Sequence, residues 1–356
     1  LEDSRYTTMV ANPPYLQSNK FDSHLKYYAK HNYPNSKSEL CVMFIERAKL
    51  LVQPAGSVGI LTKDTWMFLT TYSNARRSFL KSMSVHSLIH LGGRAFPTIH
   101  GQVVQTCAFT FSFTNRPTNA SLYIRLTGAN SSETKIDVFK QAIRGEANSI
   151  CYMRANSYFL SMPDNTILYW LSDRVLQGFE KGVPLTALGE PKVGVQTGDN
   201  HRMIRFWYEV TYTNILLPSE YGGTSNREAF KWYALNKGGG YRKWRGNETY
   251  VINWRHNGQE IMSLRPRSVV RNSAYYFKEC VSWSSISEGE VSFRKYPRGY
   301  IFDQTGHSFF LKKNVRLNDI LSWLNSSVVS HYASLLTSAL HSNVGDIKNI
   351  PHVASK

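Results

Sequence analysis

The sequence predicts an α/β sheet in its first part, followed by a mixed α+β region. Short apolar segments alternate with segments of helical periodicity up to about residue 113. The polar, turn-rich segments "TNRPTNAS" and "TGANSSETK" follow, and short strands, glycines and aromatic residues prevail from about residue 189. We therefore predict a sheet domain over residues 1–115, a connector over 116–165 and a second domain over 166–356.

The elements of the first domain follow in a regular order. Met9-Val10-Ala11 ends a first strand, and "SELCVMFIERAKLLVQPAG" has the apolar spacing of a helix that stops at Pro54 and Gly56. "SVGILTKDTW" predicts a strand, "YSNARRSFLKSM" an amphipathic helix, and "VHSLIHLG" and "VVQTCAFTFSF" two further strands. Ligands of such sheets lie beyond the C-terminal ends of the strands.

Two helices are predicted in the second part of the chain. "TILYWLSDRVLQGFEKG" is one, with Asp164 or Asn165 as its cap, and "NDILSWLNSSVVSHYASLL" is the other. The uncharged run over residues 320–344 is long enough to span a bilayer, but it is full of Ser, Asn and His. We interpret it as ordinary helix and loop.

Composition indicates a basic protein of a reducing compartment. The 356 residues carry a net charge of +17, and such an excess of Lys and Arg favours a polyanionic partner such as nucleic acid. The four cysteines lie far apart, without a CxxC or Cys/His cluster, which argues against a zinc module or a disulfide framework. We expect that the protein binds no metal and that it is cytoplasmic.

Asn12-Pro13-Pro14-Tyr15 combines an amide, a rigid backbone and an aromatic ring directly after a predicted strand. Proline lacks an N–H and holds the preceding residue extended, so the Asn12 side-chain oxygen and the Pro13 carbonyl are fixed acceptors. Two such oxygens can accept both hydrogens of an exocyclic amino group, and the Tyr15 ring can stack on an extruded base. The motif predicts a site for a planar amino-bearing ring; the alternative is a stiff turn with a packed tyrosine.

A second candidate surface lies within residues 231–300, where thirteen Lys or Arg accompany five Asp or Glu. Its segment "NKGGGYRKWRGNETY" places basic residues and a tryptophan beside three glycines. Basic side chains contact phosphates, and arginine can also pair with base edges. We predict a DNA-binding loop, and the alternative is a solvated hairpin whose tryptophan packs on its own sheet. The residues of the predicted loop are Lys237, Arg242, Lys243, Trp244 and Arg245.

Several motifs together resemble one class of methyltransferases. Asn12-Pro13-Pro14-Tyr15 is similar to motif IV of the amino-group methyltransferases that use S-adenosylmethionine. Residues 56–67 ("GSVGILTKDTWM") resemble the strand and turn that follow, and residues 91–111 ("LGGRAFPTIHGQVVQTCAFTF") resemble the motif VIII hairpin. "PKVGVQTGDNHRM" at 191–203 and "NVGDIKNIP" at 343–351 are similar to the entry and exit of a target-recognition domain. The combination most resembles N6-adenine DNA methyltransferases of the PglX type from phage-exclusion (BREX) systems, and their fused restriction–modification relatives.

The resemblance implies a fold and a reaction. The chain would hold the C-terminal half of a Rossmann-like S-adenosylmethionine-dependent methyltransferase sheet and then a mixed α+β target-recognition domain. The enzyme would methylate N6 of an adenine flipped out of double-stranded DNA, in phage defence or restriction–modification, with other phage-defence proteins as further partners. Asn12 and Pro13 would bind the amino group, while Tyr15 and Phe96 would stack on the base. Phe96 could equally be a core residue of its hairpin.

The resemblance also implies a part that this chain lacks. The glycine-rich loop and the acidic residue that bind the cofactor precede motif IV in the matching domain order. We expect Gly238-Gly239-Gly240 to be a poor substitute, since they lie in a polar, hairpin-like segment and no apolar strand is predicted before them. The cofactor-binding residues are therefore expected upstream of Leu1, and this fragment alone is expected to be inactive.

Two alternatives stay open. RNA methyltransferases and protein-glutamine methyltransferases share the four-residue motif, but they usually end soon after the catalytic sheet. The basic, strand-rich segment after residue 150 favours a DNA reader instead. The other alternative is a non-catalytic, sequence-specific DNA-binding module.

Overall fold

A computed structural model describes most of the chain. The described ranges are 5–96, 104–114, 120–223, 227–286, 289–336 and 342–353. The chain divides into two compact units, the first ending at Glu180 and the second beginning at Lys181. Within the described ranges, no helix is both long and apolar enough to cross a bilayer.

The first unit is a sheet of six described strands with helices packed on it, as the α/β prediction requires. The strands are β1 (Tyr6–Ala11), β2 (Val52–Lys63), β3 (Ser84–Gly92), β4 (Thr106–Ser112), β5 (Ala120–Arg125) and β6 (Cys151–Ala155), in the order β1-β2-β4-β3-β5-β6. The helices are α1 (Ser23–Asn32), α2 (Leu40–Leu51), α3 (Ser73–Ser82), α4 (Ser132–Ile143), α5 (Asn156–Leu160) and α6 (Asp173–Lys181).

Strand directions bring four strand ends to one edge of this sheet. β1 is parallel to β2 and β3 is parallel to β5, while β4 runs antiparallel between β2 and β3. β1, β2, β3 and β5 therefore all point the same way, and their C-terminal ends share one edge, here called the carboxyl edge. β3 and β4 pair antiparallel, as the predicted hairpin over residues 91–111 requires, although residues 97–103 lie outside the described ranges.

The sheet continues beyond the predicted boundary at residue 115. β5 pairs with β3 and β6 pairs with β5, so much of the predicted connector over 116–165 belongs to the first unit. The backbone of β3 would be unpaired on one side without β5, and the buried side chains of Tyr123 and Ile124 add to the core.

Two helix boundaries differ from the prediction. The helix predicted to start after Asp164 or Asn165 begins only at Asp173, because Ile167 and Tyr169 are buried in the core of the first unit. α2 is confirmed, but β2 follows it at once and passes through Pro54. Proline is tolerated there because the pairing of β2 with β1 changes register in this region, and the pairing with β4 starts later, at Ser57.

The second unit is mixed α+β, with small sheets. The strands are β7 (Val183–Pro184), β8 (Gly189–Lys192), β9 (Ile204–Phe206), β10 (Ile215–Leu216), β11 (Trp232–Asn236), β12 (Tyr250–Asn253), β13 (Cys280–Ser284), β14 (Arg294–Tyr296), β15 (Ile301–Phe302), β16 (Gly306–Leu311) and β17 (Pro351–His352). The helices are α7 (Asn200–Met203), α8 (Arg255–Met262), α9 (Leu317–Leu324), α10 (Ser327–Leu336) and α11 (Val344–Ile347).

Two sheets of the second unit form its framework. One has the order β10-β11-β12-β9, with β15 beside β11, and the other has the order β14-β13-β16-β8. The long helix predicted near the end of the chain is two helices, α9 and α10, separated at Asn325. The buried Asn325 side chain accepts from Phe293 N and donates to Phe293 O. These bonds hold the junction between the two helices against the segment that precedes β14.

Candidate active site

The Asn-Pro-Pro-Tyr motif lies at the carboxyl edge, directly after β1. We call residues 12–18 the catalytic loop. Asn12 and Pro14 are exposed, Pro13 is buried and Tyr15 is half-buried. Asn12 is thus accessible from solvent while Pro13 behind it is packed in the protein, and the role of Asn12 in binding an amino group stays a prediction.

A cavity of about 390 Å³ opens beside Asn12 on one face of the sheet. Parts of β1, β2, β3 and β4 line it, and none of the described lining residues carries a charge. Val10 on β1, the end strand of the described sheet, is 82% exposed. The described residues therefore leave apolar sheet surface open next to the amide of Asn12. The lining residues are Val10, Ala11, Asn12, Gly59, Ile60, Leu61, Ser87, Ile89, Ala108, Phe109 and Thr110.

Tyr15 points its hydroxyl into the protein. The ring packs against the core of the first unit, and Oη is buried without a hydrogen-bond partner among the described residues. Burial raises the pKa of Tyr15 to about 12, with smaller contributions from Cys41, Cys107 and Glu39. The phenol is therefore neutral at physiological pH, and the ring rather than the hydroxyl is what this residue offers to a ligand.

The thiols of Cys41 and Cys107, which lie near Tyr15, are protonated and therefore poor nucleophiles. Burial raises the pKa of Cys41 and of Cys107 to about 12. Both side chains are fully buried, and a thiol nucleophile requires the thiolate form. Neither cysteine is placed to take part in covalent chemistry at this site.

Glu39 connects the catalytic loop to the end of β2. The backbone on either side of it pairs with the loop, through Leu40 N to Leu16 O at 2.9 Å and Ser18 N to Ser38 O at 3.0 Å. Its buried carboxylate accepts from Lys63 Nζ at 2.8 Å and from the hydroxyls of Tyr72 and Thr65.

A buried charge with so many donors holds its surroundings in one geometry. The catalytic loop is thus anchored before any ligand arrives. Sequence reasoning missed Glu39, and nothing in the local pattern distinguishes it from an ordinary helix-flanking glutamate.

A second buried hydrogen-bond network stabilises the same edge of the sheet. His90 on β3 lies between Asp64 and Tyr169, with Nε2 to Asp64 Oδ2 at 2.9 Å and Nδ1 to Tyr169 Oη at 2.9 Å. Since Asp64 directly follows β2, this network ties the ends of β2 and β3 together. Phe96 follows β3 at the same edge and is half-buried, and its role as a second stacking residue stays a prediction.

The predicted DNA-binding loop joins β11 to β12 in the second unit. The prediction that no apolar strand precedes Gly238-Gly239-Gly240 was wrong, because the buried strand β11 ends at Asn236; a strand and not a helix is the next element, β12. We call residues 237–249 the glycine loop. Backbone hydrogen bonds hold it against β14, from Trp244 N to Phe293 O and from Lys295 N to Trp244 O, both at 2.9 Å. The Tyr296 hydroxyl donates to Asn247 O, and Ser284 Oγ donates to Gly239 O. The loop is therefore a fixed surface feature and not a freely moving hairpin.

Side chains of the glycine loop divide into exposed and engaged groups. Tyr241 is 55% exposed and Trp244 is 51% exposed, and Arg242 and Arg245 are exposed as well. Lys243 turns inward and donates to Asn325 O at 3.0 Å, and Lys237 pairs with Asp303 at 3.4 Å. The two lysines of the predicted set are thus engaged within the second unit. Its arginines and its tryptophan are exposed, and Arg245 also pairs with Glu248 at 3.1 Å.

Trp244 adopts a backbone conformation that is unusual for its type. Its φ is +73°, in the left-handed region where a bulky side chain is strained. The two hydrogen bonds to neighbours of β14 maintain this conformation and leave the indole outside the core. With half of its surface exposed, Trp244 is not fully packed on its own sheet, and its part in DNA binding stays a prediction.

Sequence reasoning also missed an aromatic stack beside the glycine loop. The rings of Tyr208 and Phe206 are 5.2 Å apart, those of Phe206 and Tyr250 are 4.8 Å apart, and Tyr208 is 63% exposed. Trp207 N donates to Thr249 O at the end of the loop, so this stack borders it. The aromatic run "RFWYEVTY", which begins within β9, was the available signal.

Comparisons with known proteins agree with the resemblance. Residues 1–96 match the family described as Eco57I restriction-modification methylase. The adenine-specific methyltransferase PglX of Lacticaseibacillus casei (strain Zhang) is 34% identical over 98% of this chain and 29% of that protein. The adenine-specific methyltransferase BrxX of Escherichia coli O9:H4 (strain HS) is 32% identical over 98% of this chain and 28% of that protein. The chain thus spans less than a third of the length of these curated relatives.

Solved structures show a similar fold along nearly the whole chain. The Type IIL restriction-modification enzyme MmeI, solved in complex with DNA, aligns with a TM-score of 0.56 and 12% identity over 96% of this chain and 46% of MmeI. The ATP-dependent Type ISP enzyme LlaBIII, solved bound to DNA, aligns with a TM-score of 0.50 and 11% identity over 99% of this chain and 28% of LlaBIII. At these identities the likeness concerns the fold alone.

Proposed function

The chain belongs to the adenine-specific methyltransferases of the PglX type, and from that premise we propose that it supplies the base-binding and DNA-reading parts of a longer enzyme. That enzyme transfers the methyl group of S-adenosylmethionine to N6 of an adenine flipped out of double-stranded DNA. It marks host DNA in phage defence or restriction–modification. The observation that carries the proposal is the catalytic loop at the carboxyl edge, with Asn12 open to solvent and Pro13 buried beneath it.

The catalytic loop acts by orienting the N6 amino group of the adenine for methyl transfer. The Asn12 side-chain oxygen accepts one N6 hydrogen and the Pro13 carbonyl accepts the other. The nitrogen lone pair then leaves conjugation with the purine ring and points away from its plane. Because both acceptors are held in place by the prolines and by the Glu39 contacts, little reorganisation is needed during the reaction.

Tyr15 supports the flipped base through its ring. The ring packs against the core of the first unit, so it cannot turn away without losing that packing, although the buried hydroxyl has no hydrogen-bond partner among the described residues. We propose that the adenine stacks on the exposed side of this ring, with Phe96 as the second aromatic residue. The neutral phenol takes no part in proton transfer, in keeping with its raised pKa.

The described residues do not fit the whole cofactor by themselves. S-adenosylmethionine needs charged partners for its amino-acid end and acceptors for its ribose hydroxyls. The cavity beside Asn12 is lined by apolar groups, small side chains and one amide, and its described lining carries no charge. We propose that other parts of the longer protein bind these groups and bring the methyl donor to the open sheet face.

DNA recognition is proposed for the second unit. The exposed Arg242, Trp244 and Arg245 of the glycine loop, together with the neighbouring Tyr208, combine cations with flat rings. Arginine pairs with guanine edges or phosphates, and rings stack on bases. The fixed backbone of the loop favours reading a defined sequence, since each side chain starts from one position.

The test uses the natural full-length protein with duplex DNA, and N6-methyladenine is detected by sequencing. Asn12→Ala should lower the methylation rate at least about a hundredfold while DNA affinity stays within a few fold. Asn74→Ala, at an exposed asparagine of α3, is the matched control and should behave as wild type. Near-normal methylation by Asn12→Ala would contradict the assignment. So would methylation of RNA or of a glutamine-bearing protein in preference to DNA.

A further inference from the structure

We propose that helix α1 (Ser23–Asn32) binds the DNA backbone beside the flipped adenine, an inference that rests on the proposed function. The helix follows the catalytic loop after only a few residues and packs on it. Leu25 and Ala29 of α1 share a small apolar cluster with Leu16, the residue next to Tyr15. α1 is thus joined directly to the base-binding motif.

The outward face of α1 alternates basic and aromatic residues. Tyr27 is 67% exposed, and Lys26 and Lys30 are exposed beside it. At helical spacing, Tyr27 and His31 lie one turn apart, and their ring centroids are 3.9 Å from each other. Basic side chains interleaved with flat rings form the type of surface that binds a nucleic-acid strand.

No acidic side chain of α1 itself balances this face, since the helix contains no Asp or Glu. The nearest carboxylate in sequence is the helix cap Asp22, which accepts from Leu25 N and lies four residues before Lys26, and the described residues show no ion pair between Asp22 and Lys26. Among the described residues, no lysine of this region forms an ion pair; these lysines are Lys20, Lys26, Lys30 and Lys37. Lys26 and Lys30 repel each other at i,i+4 spacing, and a bound anion would relieve that repulsion.

The position of α1 identifies the anion as DNA phosphate. An adenine held at Asn12 remains attached to its own strand, so the phosphates on either side of it must pass close to the catalytic loop. α1 lies in the segment between the end of β1 and the start of α2, which leaves and returns at the carboxyl edge. Cations at this place neutralise phosphates of any sequence, and they contribute affinity without specificity.

α3 provides an internal comparison. Arg77 and Lys81 are exposed there at the same i,i+4 spacing and also lack an acidic neighbour on their helix. However, α3 ends directly before β3 begins, at the sheet edge opposite to Asn12, and no exposed aromatic residue lies between its two cations. A pair of cations is therefore not enough by itself, and it is the position beside the catalytic loop that distinguishes α1.

The experiment measures DNA binding by the full-length protein over a range of salt concentrations. Lys26→Gln combined with Lys30→Gln should weaken binding about five- to twentyfold at low salt, equally for DNA with and without the methylation site. The slope of log affinity against log salt should fall by about one to two, since each lost phosphate contact removes about 0.9. The methylated sequence should not change. Arg77→Gln combined with Lys81→Gln is the matched control and should leave both affinity and slope as in wild type.

The outcomes separate this inference from the proposed function. Wild-type methylation together with unchanged affinity and slope in the Lys26/Lys30 variant would overturn the role of α1 alone. An equal loss in the α3 control would do the same, because it would show a general charge effect. A wild-type protein that neither binds nor methylates DNA would overturn the proposed function itself. Lys26→Glu combined with Lys30→Glu should deepen the loss, and circular dichroism checks that each variant is folded.

Discussion

At the scale of single residues, the motif explains the aromatic ring of Tyr15, and the surrounding structure determines the environment of its hydroxyl. The motif requires an aromatic ring after the two prolines, and any phenol or phenyl ring would satisfy that requirement. The structure adds a buried hydroxyl without a partner, at the cost that an unsatisfied polar group brings to a core. The ring and the hydroxyl of Tyr15 can therefore be tested separately.

Tyr15→Phe removes only the unpaired hydroxyl. We expect the free energy of unfolding to stay the same or rise by up to about 1 kcal/mol, because a buried unsatisfied group disappears. Methylation by the full-length protein should stay within a few fold of wild type, whereas Tyr15→Ala should lose a stacking contribution of about 1–3 kcal/mol. Thermal unfolding and methylation rates measure the two effects. A tenfold or greater loss of rate in Tyr15→Phe would show that the hydroxyl takes part in the reaction.

At the scale of elements, two loops are held by residues that are distant in sequence. Glu39 joins the catalytic loop to β2 through Lys63, and β14 holds the glycine loop through Trp244. In both cases the proposed functional side chains project from a backbone that hydrogen bonds tie to neighbouring segments. The glycine loop also shows a division that its sequence hides, since Lys243 is engaged inside the unit while its arginine neighbours are exposed.

This division predicts different effects of neighbouring substitutions in the glycine loop. Lys243→Ala should leave DNA affinity within about twofold and lower the free energy of unfolding, because it removes the bond to Asn325 O. Arg242→Ala or Arg245→Ala should cost about 1–3 kcal/mol of discrimination if the arginine reads a base, and methylation should then spread to related sequences. If the arginine contacts phosphate only, the sequence stays the same and methylation falls more steeply at high salt.

Genome-wide sequencing of modified adenines distinguishes these results. A loss of DNA binding in Lys243→Ala as large as in the arginine variants would contradict the inward position of this lysine. An unchanged methylome in the variant lacking Arg242, Lys243 and Arg245 would remove the glycine loop from the recognition surface.

At the scale of the whole molecule, the chain contains two units, each with its own core. The first presents the catalytic loop and an open, apolar sheet face; the second presents the glycine loop. The open face matters most for cofactor binding, because a strand as exposed as β1 at Val10 leaves room for further protein or ligand. Curated relatives more than three times as long are consistent with this view.

Cofactor binding tests the whole-molecule view. Residues 1–356 alone should bind S-adenosylmethionine only weakly, at millimolar concentrations or above, and should show no turnover, because the described cavity lining offers no charged partner. The full-length protein, measured in parallel by calorimetry, should bind one equivalent with much higher affinity. Tight stoichiometric binding by residues 1–356 would contradict the proposal and would place the cofactor site within this chain.

The sequence by itself determined the features that depend on neighbouring residues. Apolar spacing predicted α2, α3 and the strands β2, β3 and β4, since periodicity follows from which side chains one helix or strand must bury. The restricted backbone of residues 12–14 was predictable for the same reason, because two consecutive prolines limit their own conformations. The resemblance to PglX-type methyltransferases was readable from motifs and is confirmed by identity along nearly the whole chain.

Only the tertiary structure decided the features that depend on distant partners. β5 and β6 extend the first unit beyond residue 115 because β3 offers them a free backbone edge, which no local pattern shows. Lys243 and Lys237 look like DNA ligands in sequence, yet Asn325 and Asp303 engage them from more than sixty residues away. The proposed role of the outward face of α1 in DNA binding follows from its position beside the catalytic loop, which the sequence alone does not show. The periodicity of a helix or strand depends on residues that are close in sequence. Strand pairing and side-chain exposure depend on distant segments of the chain that pack against that element.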